Sequence, residues 1–203
     1  MDAATEYYYL AGPVYLSQAK IPHFVRWQVP PDPFIKLNTD GSAIGNPSVA
    51  GVGGLLRDGS GTWISGFSLH LGLASNNMVE LAAVWQGLKL AWDMGFKSIH
   101  LELDSMTMLN WLIEKTANFP TNIMPLILDC RNLLDRDWEV RVLHVYRETN
   151  ACADALAKRG THQHHALFVY SSCPSFVYVY YIRDMAGLGT NRLCAQRSTV
   201  DDV

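Results

Sequence analysis

Between residues 34 and 160, apolar positions recur with two different periods. Phe34-Ile35-Lys36-Leu37-Asn38-Thr39-Asp40 alternates apolar and polar residues, the period of a strand. Residues 49–57 are apolar and glycine-rich, which predicts a second strand closely approached by other backbone. Asp58-Gly59 and Gly61 supply a hairpin turn, and residues 62–70 read as a third strand. The period then lengthens. Leu81, Val84, Trp85, Leu88, Ala91 and Trp92 share one helical face, with Asn76 or Asn77 as the expected cap and Gly95 as the stop. Residues 98–103 return to strand, with Ile99, Leu101 and Leu103 apolar. A second helix is predicted over 105–114, a third after Pro120 over 121–135, and a fifth strand from Trp138 to His144. Asn150 is placed to cap a last helix that Gly160 would end.

The order β-β-β-α-β-α-α-β-α implies an α/β domain with an antiparallel hairpin edge and a parallel centre. In such sheets the working crevice lies at the carboxyl ends of the parallel strands. Residues 1–33 read as a leader or linker, because Pro30-Pro31-Asp32-Pro33 disfavours helix and marks a boundary. Residues 34–160 form the domain. Residues 161–203 form an extension of uncertain structure, whose run Phe176 to Ile182 has high β-propensity.

Composition narrows the class. Of 203 residues, 49% are hydrophobic and 17% charged, which fits a globular rather than a disordered chain. The formal net charge is −3, so any grip on phosphates must come from local basic residues or bound metal. Cys130, Cys152, Cys173 and Cys194 show no metal-ligand spacing and read as free thiols. The apolar patch Tyr7 to Leu10 lacks the basic flank of a signal peptide, and Pro174 with its neighbouring serines breaks the uncharged run 166–182. A nuclear or cytoplasmic monomer without membrane attachment is expected.

Four acidic residues carry the chemistry. Asp40 and Asp104 end apolar strands, while Glu80 and Asp154 lie within predicted helices. Carboxylates converging from two strand ends and two helices make an oxygen-rich site for hard divalent cations. Two such ions can drive phosphodiester hydrolysis. Singly, each acid has a bland reading as a turn, cap or solvated helix residue. The intervening Gly45-Asn46-Pro47 and Asn76-Asn77 signals are not predicted by those readings. Glu102 shares a strand face with Asp104 and is left out of the ligand set. Arg141, Arg147, Lys158 and Arg159 flank the last acidic segment as candidate phosphate contacts.

These segments resemble the type 1 ribonuclease H family. Thr39-Asp40-Gly41-Ser42-Ala43-Ile44-Gly45-Asn46-Pro47 resembles its opening, Ser75-Asn76-Asn77-Met78-Val79-Glu80-Leu81 its second motif, and Leu103-Asp104-Ser105 its third. His144 through Asp154 resembles the last. Asn150-Ala151-Cys152-Ala153-Asp154-Ala155-Leu156-Ala157 is closest to the plant retroelement-derived, reverse-transcriptase-like branch. The resemblance implies a ribonuclease H-like five-stranded mixed sheet with helices on both faces. It implies endonucleolytic cutting of the RNA strand of RNA–DNA hybrids, with two Mg²⁺ ions or Mn²⁺, leaving 5′-phosphate and 3′-hydroxyl ends. Asp40, Glu80, Asp104 and Asp154 would be the metal ligands and His144 the residue that assists proton transfer or product release. Gly41, Ser42, Asn46, Asn76, Asn77, Ser105 and Asn150 would meet substrate.

Two departures stand out. The interval from Asp104 to Asp154 is too short for the basic protrusion of many bacterial members, and Met106 replaces a polar contact. The alternative is a catalytically idle nucleic-acid-binding or protein-interaction remnant of a retroelement. A 3′–5′ exonuclease ranks lower, because Asp40-Gly41-Ser42 lacks the Asp-x-Glu that opens those enzymes.

Overall fold

The structure is a computed structural model that describes residues 20–43, 48–114, 117–164 and 167–195. Strands β1 (Lys20–Val25) and β8 (Thr190–Ala195) pair with each other in a two-stranded sheet. The second compact unit, Val25–Thr190, carries everything that follows. Its sheet contains β2 (Ile35–Ala43), β3 (Ser48–Arg57), β4 (Trp63–Ala74), β5 (Ser98–Leu103), β6 (Glu139–His144) and β7 (Leu167–Tyr170). The spatial order is β6-β5-β2-β3-β4-β7. β2, β5 and β6 run parallel, while β2-β3-β4-β7 are antiparallel neighbours.

Helices cover both faces. On one lie α1 (Asn76–Asp93), α2 (Met106–Ile113) and α3 (Met124–Leu134). There Leu37, Leu81, Leu88, Leu101 and Ile127 are fully buried in one core, each contributing about 1.5–3 kcal/mol. On the other lie α4 (Ala151–His162) and α5 (Ser175–Met185), packed over Leu55, Cys152, Leu156 and Val177. The glycines of β3 explain how closely α4 approaches. A Cβ built on Gly53 would lie 2.2 Å from the Ala157 nitrogen, and one on Gly51 would lie 2.3 Å from the Thr161 nitrogen. Any side chain at either position would push the helix off the sheet. Among the described residues, no helix is long and apolar enough to cross a membrane.

The mixed sheet and its covering helices match the sequence expectation, and four details differ. β7 adds a sixth strand on the β4 edge. Ser75, in extended backbone, caps α1 in place of Asn76 or Asn77. Helix α4 continues through Gly160 to His162. That glycine answers a packing demand, since a Cβ there would sit 2.6 Å from the Leu69 carbonyl oxygen. The β-prone run Phe176 to Ile182 is helical. Val177 and Asp184 are buried, and Tyr181 packs against the same core, an i, i+4, i+7 pattern that outweighs the strand propensity. The tyrosine hydroxyl also accepts a hydrogen bond from the Trp63 amide at 3.2 Å.

Candidate active site

Asp40 stands near the carboxyl end of β2 and Asp104 just past that of β5, so two parallel neighbours deliver their carboxylates to the same edge. Gly41 lets the first turns of α1 come up against β2. A Cβ on Gly41 would lie 2.8 Å from Val79 Cγ1 and 2.9 Å from the Glu80 nitrogen. This close approach brings Glu80 beside Asp40. One carboxylate oxygen from each of Asp40, Glu80 and Asp104 lies within 4.8 Å of the others.

Electrostatics mark this trio. Burial pushes the Asp40 carboxyl well above its ordinary range, and Glu80, Asp104 and Asp154 push it further. The Gly41 amide donates to Asp40 Oδ1 at 3.0 Å and pulls the other way, too weakly to reverse the effect. Glu80 is raised to about 8, first by burial and then by Asp104. Asp104 is raised by burial, with Arg147 and His144 among the groups opposing the shift. Like charges in a low-dielectric site behave this way when no cation is bound. The donor set is all oxygen, anionic and converging, so it fits a hard divalent ion.

Asp154 stands apart from the trio. Its Oδ2 accepts from Lys158 at 2.6 Å, one helical turn along α4, and its Oδ1 lies 3.7 Å from Arg147. It still borders the same groove, a cavity of about 650 Å³ that also takes in Ser42, Asn76, Glu80, Lys158 and His162. Gly41 lines this groove too, whereas Asn77 is half-buried and does not. Ser105 is occupied as the cap of α2, its Oγ accepting from the Met108 amide at 3.3 Å. That leaves Asp104 uncommitted to capping. His144 ends β6 opposite Leu103, with its exposed ring edge-on to Tyr146 at 6.0 Å. Asn46 lies outside the described residues. Asn150 does not face the groove, which corrects the expected substrate contact. It is 1% exposed, and its Nδ2 donates to the Thr39 carbonyl at 2.9 Å, tying the start of α4 to β2 beside Asp40.

The sequence reading missed a second polar layer below the carboxylates. Arg57, fully buried on β3, pairs with Asp184 of α5 at 2.7 Å and donates to Asn38 at 2.8 Å. Asn38 in turn donates to Glu102 at 2.8 Å, and Glu102 pairs with Lys36 at 2.5 Å. The Trp27 ring lies under the Arg57 guanidinium at 3.7 Å. Only the polar residues inside strand-like runs (Lys36, Asn38 and Glu102) hinted at this layer. Its partners Trp27 and Asp184 come from segments the sequence assigns to linker and tail.

A mixed sheet with this strand order, covered on both faces and carrying converging carboxylates at the β2 and β5 ends, has the ribonuclease H fold. The ribonuclease H1 of the halophilic archaeon Halobacterium salinarum superposes with a TM-score of 0.60 at 32% identity, over 62% of this chain and 96% of that one. LC11-RNase H1, solved with an RNA/DNA hybrid, superposes with a TM-score of 0.59 at 23% identity, over 63% of this chain and 96% of the other, a likeness of fold alone. The profile described as reverse transcriptase-like matches residues 38–160, and the chain belongs to that family. An Arabidopsis thaliana protein named "Putative ribonuclease H protein" is 39% identical over 143 residues, 70% of this chain. The matched stretch spans 23% of that relative's length.

Proposed function

We propose that the chain hydrolyses the RNA strand of RNA–DNA hybrids as an endonuclease, in the manner of a type 1 ribonuclease H. The observation that carries this is the uncompensated trio Asp40, Glu80 and Asp104, with Asp154 across the groove. Family and fold support a nuclease acting on such hybrids. These four carboxylates would hold two divalent ions, Mg²⁺ or Mn²⁺. When bound, such ions stabilise the charge that develops on the attacking and leaving oxygens.

The chain's own residues do the rest. Gly41, Ser42 and Asn76 line the groove where the sugar–phosphate backbone would lie, and contacts to 2′-hydroxyls there would select RNA. His144, exposed and electrostatically coupled to Asp104, would accept or deliver a proton during the reaction. Arg147 and Lys158 would exchange Asp154 for substrate phosphates.

The test is cleavage of a labelled RNA–DNA hybrid with Mg²⁺ or Mn²⁺, comparing wild type with Asp40→Asn. Metal-dependent cutting of the RNA strand that falls at least ~10³-fold in the variant is expected. A folded wild type that does not cut would favour the second reading, a catalytically idle nucleic-acid-binding remnant. The engagement of Asp154 by Lys158 and Arg147, away from the trio, is the observation on that side.

A further inference from the structure

The groove continues past the carboxylates. Asp154, Lys158 and His162, which border it, also line a second, more open recess of about 320 Å³ beside α4. That recess is completed by Arg159 and by Phe176 and Tyr180 of α5. The helix lies beyond residues 38–160, the stretch that matches the family. The two rings are one helical turn apart and are 38% and 39% exposed. Phe176 is held edge-on by Tyr170 at 5.9 Å, and the Arg159 guanidinium stands 5.8 Å from its centre.

We propose that this shelf binds a single-stranded nucleic-acid tail running on from the hybrid in the groove, with bases on Phe176 and Tyr180 and phosphates on Lys158 and Arg159. The inference rests on the hydrolase reading for the duplex in the groove. Open aromatic faces beside cations are what sequence-tolerant single-strand binding requires. Continuity with the groove favours a nucleic acid over an unrelated partner, because one strand can occupy both. The charge balance points the same way. A chain of net charge −3, with no lysine cluster in residues 105–135, must place its phosphate grip elsewhere.

The test measures binding by fluorescence anisotropy with full-length Asp40→Asn protein, so that nothing is cut. A blunt RNA–DNA hybrid is compared with the same hybrid carrying a single-stranded extension at either end. The tailed form should bind about tenfold tighter, the gain of one stacked base. Tyr180→Ala should erase that gain, and Arg159→Gln should reduce it and flatten its salt dependence. Equal affinity for tailed and blunt hybrids, or a gain that survives Tyr180→Ala, would overturn the proposal. Phe176→Ala is a weaker probe because Phe176 also braces Tyr170, so Tyr180 carries the decision. Failure of wild type to cut a blunt hybrid would sink the hydrolase reading instead, and the two failures are read in different assays.

Discussion

Two polar clusters, one buried and one partly buried, sit one step apart along β2 and β5, and the fold treats them in opposite ways. Lys36, Asn38 and Glu102 belong to the lower cluster, and two residues further on Asp40 and Asp104 belong to the upper. The lower cluster balances. Lys36 and Arg57 give two positive charges, Glu102 and Asp184 two negative ones, and Asn38 bridges them. Burial, with a smaller push from Arg57, pulls Lys36 below its ordinary value, and Glu102 restores part of the loss. The upper cluster holds three carboxylates with no buried cation among them, since Arg147 and Lys158 are exposed. A fold that compensates one cluster so fully and leaves its neighbour uncompensated reserves the second for a partner from outside. Charge excess, more than acidity, distinguishes a site from a scaffold.

The largest expected effect breaks the balanced cluster. Arg57→Met leaves Asp184 buried and unpaired, which costs about 3–5 kcal/mol of unfolding free energy. Asp184→Leu does the same from the other side. The double variant should recover much of the loss, because a buried pair replaced by apolar groups is often neutral. Urea denaturation of the three variants measures this, and simple additivity would show that the pair does not act as a unit. A chain ended at residue 164 removes Asp184 and the Tyr181 contact to Trp63 together. It should be at least as destabilised as Arg57→Met. A fully stable truncation would show that the domain closes at about residue 160.

The next effect supplies what the upper cluster lacks. At a hundred times its Kd, Mg²⁺ should stabilise wild type by about 2.7 kcal/mol, since it binds the folded state alone. The shift should vanish in Asp40→Asn, which removes the most buried member of the trio. Arg57→Met should keep the same increment, because it depends on the ion's affinity and not on the stability of the fold. An Mg²⁺ shift that survives Asp40→Asn would place the cation somewhere other than the trio.

The upper cluster was legible in the sequence and the lower one was not, for a physical reason. Asp40 and Asp104 end apolar runs, and Glu80 and Asp154 sit beside asparagines and glycines whose pattern has few structural causes. The strands themselves were legible from alternation, and the glycine seam of β3 from composition. The lower cluster depends on pairings across 64 and 127 residues, Asn38 with Glu102 and Arg57 with Asp184, which no local period records. Helix α5 was hidden because its buried face is short, while its exposed face is aromatic and β-branched. Asn150 holds the N-cap position of α4 that its sequence predicts, and its side chain also ties the helix to β2, whereas Gly160 lies inside the helix and serves its packing against the sheet.

The smallest effect separates the clusters by pH. Glu80 ordinarily titrates near 4.5 and stands at about 8 in the folded, metal-free protein. Folding therefore favours its protonated form. The stability this contributes is complete below pH 4.5 and is lost as pH rises through about 8; the raised Asp40 adds to the same trend. Metal-free wild type should lose stability steadily between pH 5 and pH 8.5 as these groups are forced to ionise. Glu80→Gln, which cannot ionise, should flatten that slope and melt several degrees above wild type at pH 8.5 without metal. With Mg²⁺ present the order should reverse, because the ion needs the charged carboxylate that the variant lacks. Thermal melts of both proteins at the two pH values, with Mg²⁺ and with chelator, would decide it. Equal slopes without metal would mean that Glu80 is already neutralised within the chain, as Glu102 is by Lys36.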